Sequence, residues 1–89
     1  MIHTFLEAFD ALPLGAFEAV YQGRKYLVMR TDFSGGASQK LVAHELGGSD
    51  YISMNLYRLT SGARLKPCEM PEGKVVDFVL NLELDSPSW

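Results

Sequence analysis

A chain of 89 residues, 47% hydrophobic and 21% charged, has the composition of one folded domain with a single core and little surplus, and not that of a disordered segment. No apolar run reaches the roughly 20 residues needed to span a bilayer, and Cys68, the lone cysteine, excludes an internal disulfide. A net charge of −3 gives no overall cationic surface of the kind nucleic-acid binders carry.

Met1-Ile2-His3-Thr4 places no basic segment before an apolar run, and Glu7 and Asp10 interrupt the next ten residues with charge. A secretory signal is therefore not expected. The expected address is the cytoplasm, where a single thiol stays reduced. Thr4-Phe5-Leu6-Glu7 has the form of a capping box. Phe5, Leu6, Phe9 and Leu12 then recur at helical spacing until Pro13 and Gly15 stop the run, which predicts a short amphipathic helix over about 4–12.

From Phe17 the period changes to two, and a hairpin is expected, with strands at about 16–22 and 24–32 turning at Gln22-Gly23. Ser34-Gly35-Gly36-Ala37-Ser38 reads as a connection. Residues 39–46 alternate Leu41, Ala43 and Glu45 with Val42, His44 and Leu46, which suits a strand, although a helix is the alternative. Gly47-Gly48-Ser49-Asp50 supplies another turn. Residues 51–60 form the clearest strand, with Ile52, Met54 and Leu56 on one face and Tyr51, Ser53, Asn55 and Tyr57 on the other. After Ser61-Gly62, a short strand over 63–66 leads into Pro67. The turns are too short for parallel crossovers, so the sheet is expected to be an antiparallel meander.

Pro67 and Pro71 bracket a stiff connector, and Pro71 with Glu72 reads as a helix start. Val75, Val76, Val79, Leu80 and Leu82 then share a helical stripe, with Asp77 and Asn81 opposite. The same residues also fit strand alternation through Val76, Phe78, Leu80, Leu82 and Leu84. The helix is preferred over about 71–82, because no turn signal returns the chain to the sheet. Residues 1–85 form the expected domain, and 86–89 read as a tail.

Charge is unevenly spread. Arg24, Lys25, Arg30, Lys40, Arg58, Arg64 and Lys66 face only Asp32, Glu45 and Asp50 in the middle of the chain, while the flanks are acidic apart from Lys74. This fits a mildly basic sheet beneath acidic helices, or a solvated surface of mixed sign.

Cys68 is the candidate nucleophile, because Lys66 and a helix N-terminus favour a thiolate. Glu69 and Glu72 oppose that shift, and buried free cysteines are commonly small hydrophobes. His44 is a candidate base, but nothing in the spacing joins the two. His3, His44, Cys68 and Glu69 lack the close-spaced pairs of a zinc site, so no metal is expected. Ser34-Gly35-Gly36-Ala37-Ser38-Gln39-Lys40 lacks the spacing of a phosphate-binding loop. Tyr51, Tyr57 and Tyr26 beside Arg30, Arg58 and Arg64 are the stacking surfaces and cations that a single-stranded nucleic acid would use.

Across Glu45-Leu46-Gly47-Gly48-Ser49-Asp50-Tyr51-Ile52-Ser53 and Lys66-Pro67-Cys68-Glu69-Met70-Pro71, the chain resembles a group of short bacterial proteins of unknown function. Some carry the label peptide methionine sulfoxide reductase, and the resemblance implies redox chemistry at Cys68 as an alternative. The Gly-Cys-Phe-Trp motif of the A-type enzymes is missing, since Cys68 lies between Pro67 and Glu69.

The expected fold is a two-layer α+β domain, a four- or five-stranded antiparallel meander with an N-terminal and a C-terminal helix packed on it. The expected function is that of a small binding or accessory module, without a complete catalytic constellation. Tyr51, Asn55, Tyr57, Arg58, Arg64, Lys66 and Glu69 are the candidate binding residues. A thiol-dependent enzyme and a single-stranded nucleic-acid binder are the alternatives. No cofactor or membrane is expected; the partner is a protein or small molecule, or a second copy held through an edge strand.

Overall fold

A computed structural model describes residues 2–84, so the tail expected at 86–89 lies outside the described residues. The order of elements is α1 (Ile2–Asp10), β1 (Gly15–Tyr21), β2 (Arg24–Phe33), a short 3₁₀ turn (Ser34–Gly36), β3 (Ser38–Glu45), β4 (Tyr51–Leu59), β5 (Gly62–Pro67), α2 (Glu72–Asn81) and β6 (Glu83–Leu84). The α+β class and the antiparallel sheet agree with expectation. The sheet has six strands in the order β5-β4-β3-β2-β1-β6, more than the four or five anticipated.

Each hairpin follows from its turn residues. Tyr21 pairs with Arg24 across a two-residue loop. Gln22 and Gly23 have φ of 52° and 75°, the left-handed pair that matches the twist of the flanking strands. Pro67 closes β5 opposite Met54 at the sheet edge, where a residue with no N–H costs no ladder bond.

The helix reading of the last apolar segment holds, with differences at both ends. Pro71 is extended (φ −66°, ψ 147°) and precedes the first helical residue, so it acts as the cap position and not as the first turn. Leu82, also extended (φ −70°, ψ 134°), passes the chain directly into β6, where Glu83 pairs with Val20 and Leu84 with Ala19. The chain does return to the sheet, and it does so without a turn. In the N-terminal helix, α1 already runs at Ile2, so Thr4 lies inside the helix and the expected capping box does not form.

Both helices cover the same face of the sheet. Phe5, Phe9 and Leu12 from the α1 segment and Val75, Phe78 and Val79 from α2 are buried against Ala19, Tyr26, Val28, Leu41, Ala43, Ile52, Met54 and Leu56. Phe78, absent from the expected stripe, is fully enclosed: its ring centroid lies 4.9 Å from that of Tyr21 and 5.2 Å from that of Tyr26. Aromatic contacts of this kind add to area burial by about 0.5–1.5 kcal/mol per pair.

Two arginines fasten α1 to this core. Arg30 is 8% exposed; its Nη1 donates to the carbonyl oxygens of Phe9 at 3.0 Å and Leu12 at 2.9 Å, and its guanidinium lies 4.6 Å from the Phe9 ring centre. It supplies donors where a helix end runs out of them, with the charge sign the helix dipole favours. Arg58 donates through Nε to Gln39 Oε1 at 2.7 Å and pairs with Asp10, while Gln39 Nε2 donates to Asp32 Oδ1 at 3.1 Å. Asp32 also accepts from Arg30, which closes a buried-to-surface polar network at the C-terminal end of α1.

Candidate functional site

Because α1 and α2 lie on one side, the register of the strands fixes what the other side shows. Successive rows across that face read Phe33, Ser38, Tyr57, Arg64; then Thr31, Lys40, Asn55, Lys66; then Ala16, Met29, Val42, Ser53; then Glu18, Leu27, His44, Tyr51. No described element lies over them, although Lys74 of α2 reaches the rim, with its Nζ 5.8 Å from the Tyr51 ring centre. Leu27, Met29 and Phe33 keep 42%, 48% and 48% of their surface exposed, and Tyr51 and Tyr57 keep 38% and 37%. Large apolar side chains on one continuous strand face, with no layer above them, are the feature that marks a docking surface.

The apolar part is concave. Leu27, Met29, Thr31, Phe33, Lys40, Val42 and His44 line a shallow depression of about 400 Å³ between β2 and β3. To one side, Lys40, Arg64 and Lys66 make no ion pair with any described residue. To the other, Glu18 on β1 and Glu83 on β6 share the face, as the pairing of Val20 with Glu83 requires.

The candidate residues divide between the two faces. Tyr51, Asn55, Tyr57, Arg64 and Lys66 lie on the open face. Arg58 does not: it shares its side with Ile52, Met54 and Leu56 and is held by Asp10 and Gln39. Tyr26 and Arg30 are buried under the helices and cannot stack on or pair with a ligand on the open face. Glu69 sits in the connector after β5, exposed, with a left-handed φ of 61°.

Cys68 extends the β4–β5 pairing by one residue. Its N–H donates to the Ser53 carbonyl at 2.9 Å, and Asn55 Nδ2 lies 3.7 Å from its half-buried Sγ. His44 is opposite Tyr51 on β3, and β4 runs between it and the thiol, so the geometry of a base beside a nucleophile is not formed. Among the described residues, no group of His, Cys, Asp and Glu is placed to hold a metal ion, and no helix is long and apolar enough to cross a membrane.

A second polar cluster ties α2 to the β3–β4 turn. Asp50 accepts from Tyr26 Oη at 2.6 Å and from Lys74 Nζ at 2.8 Å, and its own N–H donates to Glu45 Oε1 at 3.2 Å. Lys74 and Tyr26 hold the Asp50 carboxyl below its ordinary range. Burial and the bond to Asp50 push the Tyr26 phenol up, while burial and the bond to Asp77 raise Tyr21 to about 12. These phenols are protonated donors that join strands to helix, a positional and not a catalytic arrangement.

The open face is partly visible in the sequence through the polar and aromatic side of β4. Its apolar centre on β2 is not. The Tyr26-Leu27-Val28-Met29 run hides two alternating sets, and Arg30, in register with Tyr26 and Val28, falls in the set the helices bury, where a charge in the sequence would point to solvent.

No family model, curated protein or solved structure matches the chain.

Proposed function

We propose that this protein is a small binding module that holds a partner protein against the open face of its sheet. The observation that supports the reading is the uncovered row of Leu27, Met29 and Phe33 beside cations that no described carboxylate pairs. A six-stranded sheet with helices on one side leaves its other side to solvent or to a partner, and a solvated face ordinarily alternates to polar residues. Here Leu27, Met29 and Phe33 of β2 do not. A cytoplasmic setting suits the lone reduced thiol of Cys68, and the resemblance to short bacterial proteins suits a module of this size.

The test is capture from a bacterial lysate by immobilised protein, comparing wild type with a Met29→Glu, Phe33→Glu double variant. Both positions are exposed, so the variant should fold with stability within about 1 kcal/mol of wild type. Loss of a specific captured protein supports the reading; equal catches reject it.

A second reading is favoured by one row of the same face. Phe33, Tyr57 and Arg64 lie in line, with Lys40 and Lys66 in the next row, and single-stranded nucleic acid stacks on such rings and pairs with such cations. Binding of short oligonucleotides that falls steeply with added salt supports it; no binding at low salt removes it. For redox chemistry at Cys68, fast alkylation by iodoacetamide at neutral pH is the corresponding test, and labelling that needs denaturant is the result against it.

A further inference from the structure

We infer that the partner seats an amphipathic α-helix on the β2–β3 depression, with an acidic flank turned toward Lys40, Lys66 and Arg64. The inference deepens the binding-module reading and rests on it. Shape carries the first part. From Leu27 to Phe33 the apolar column along β2 runs about 20 Å at the usual strand rise, the length of a helix of about 13 residues. Val42 widens the floor onto β3, and Thr31 is the polar position among the lining residues of β2. A helix laid there would add a third layer and give the sheet a covered second face.

Charge carries the second part. Along β3, β4 and β5 the face presents Lys40, Lys66 and Arg64 and no carboxylate, whereas Glu18 on β1 and Glu83 on β6 sit at the other side with Lys25 of β2. A helix with carboxylates along the edge nearer β4 and β5 meets cations; a basic helix in the same place meets like charge. Electrostatic complementarity of this kind sets orientation and rejects wrong partners.

Neither helix of a second copy of this chain supplies the occupant. The apolar stripes of α1 and α2 are spent on their own sheet.

The inference is tested with two synthetic helical peptides of equal length and identical leucines at i, i+3, i+4 and i+7, one with glutamates along a flank and one with lysines there. The acidic peptide should bind, shift the amide resonances of Leu27, Met29 and Val42, and weaken as salt is added. The Lys40→Glu, Lys66→Glu double variant should bind it about 10-fold less tightly while melting at the wild-type temperature, and the Met29→Glu variant should lose it. Equal binding of both peptides overturns the inference, as do shifts centred on the helix side, preferential binding of a short thymidine oligonucleotide, or self-association that buries the face. If neither peptide binds while Met29→Glu, Phe33→Glu still loses its lysate partner, the face remains the docking surface and the acidic-helix assignment is wrong.

Discussion

Replacing Arg30 with methionine keeps most of the side-chain volume and removes the buried charge that ends α1. Two donors to main-chain carbonyls are lost, at 3.0 Å and 2.9 Å, together with the contact to the Phe9 ring. A hydrogen bond to a charged group is worth about 1.5–3 kcal/mol, and the carbonyls of Phe9 and Leu12 would be left without this partner. The arginine is itself costly to desolvate, and its removal returns part of that cost. The net loss should therefore be about 3 kcal/mol, a large fraction of the total stability of about 5–13 kcal/mol expected for a domain of this size. Urea unfolding followed by circular dichroism would show a lower midpoint at unchanged slope, and the melting temperature would fall by about 4–8 °C per kcal/mol. Arg30→Lys should recover only part of the loss, because an ammonium reproduces neither the Nε bond to Asp32 nor the planar guanidinium set against the Phe9 ring. A loss below about 1 kcal/mol, or lysine equal to arginine, would refute the assignment of Arg30 as the clamp on α1.

The core and its polar fastening give three further expected outcomes. Asp50, whose carboxyl is held below its ordinary range, contributes stability above pH of about 4 that is lost as pH falls through its folded value, so the stability gap between wild type and Asp50→Asn should close on acidification. Tyr21, raised to about 12 from 10.0, contributes below pH 10 and loses that contribution as pH rises toward 12; alkaline unfolding curves should be shallower for Tyr21→Phe than for wild type. Phe78→Ala should cost about 3–5 kcal/mol in the same urea assay, since the ring is fully buried between Tyr21 and Tyr26; a cost under about 1 kcal/mol would mean that α2 does not seal the core there.

The strands are legible in the sequence because their alternation and turns agree. Ile52, Met54 and Leu56 against Tyr51, Ser53, Asn55 and Tyr57 place β4 correctly, and Gln22-Gly23 places the first hairpin. In the last apolar segment, where helix and strand periods compete, Pro71 and Glu72 decide for the helix. Three things are not legible. Thr4 matches a capping box by spacing, yet helical backbone continues upstream of it, and a short motif has no means of registering that. β6 has only two residues, too few for a period, and it forms because β1 leaves its outer ladder groups free beside the end of α2. The side of each cation depends on strand parity and not on composition. Arg30 and Arg58 look like Arg64 in a sequence, but the first two share parity with buried residues and serve α1, while the third points away with Tyr57.

Everything proposed for this protein depends on the β2 row facing away from the helices and being the surface a partner covers. The most direct measurement is the rate of maleimide labelling at a cysteine placed by Met29→Cys in a Cys68→Ser background, beside Val28→Cys as the inward control. Labelling should be fast at 29, slow at 28 until the protein is unfolded, and slower at 29 once the captured partner or the acidic peptide is added. Equal rates at the two positions, or labelling at 29 that no bound partner slows, would contradict it.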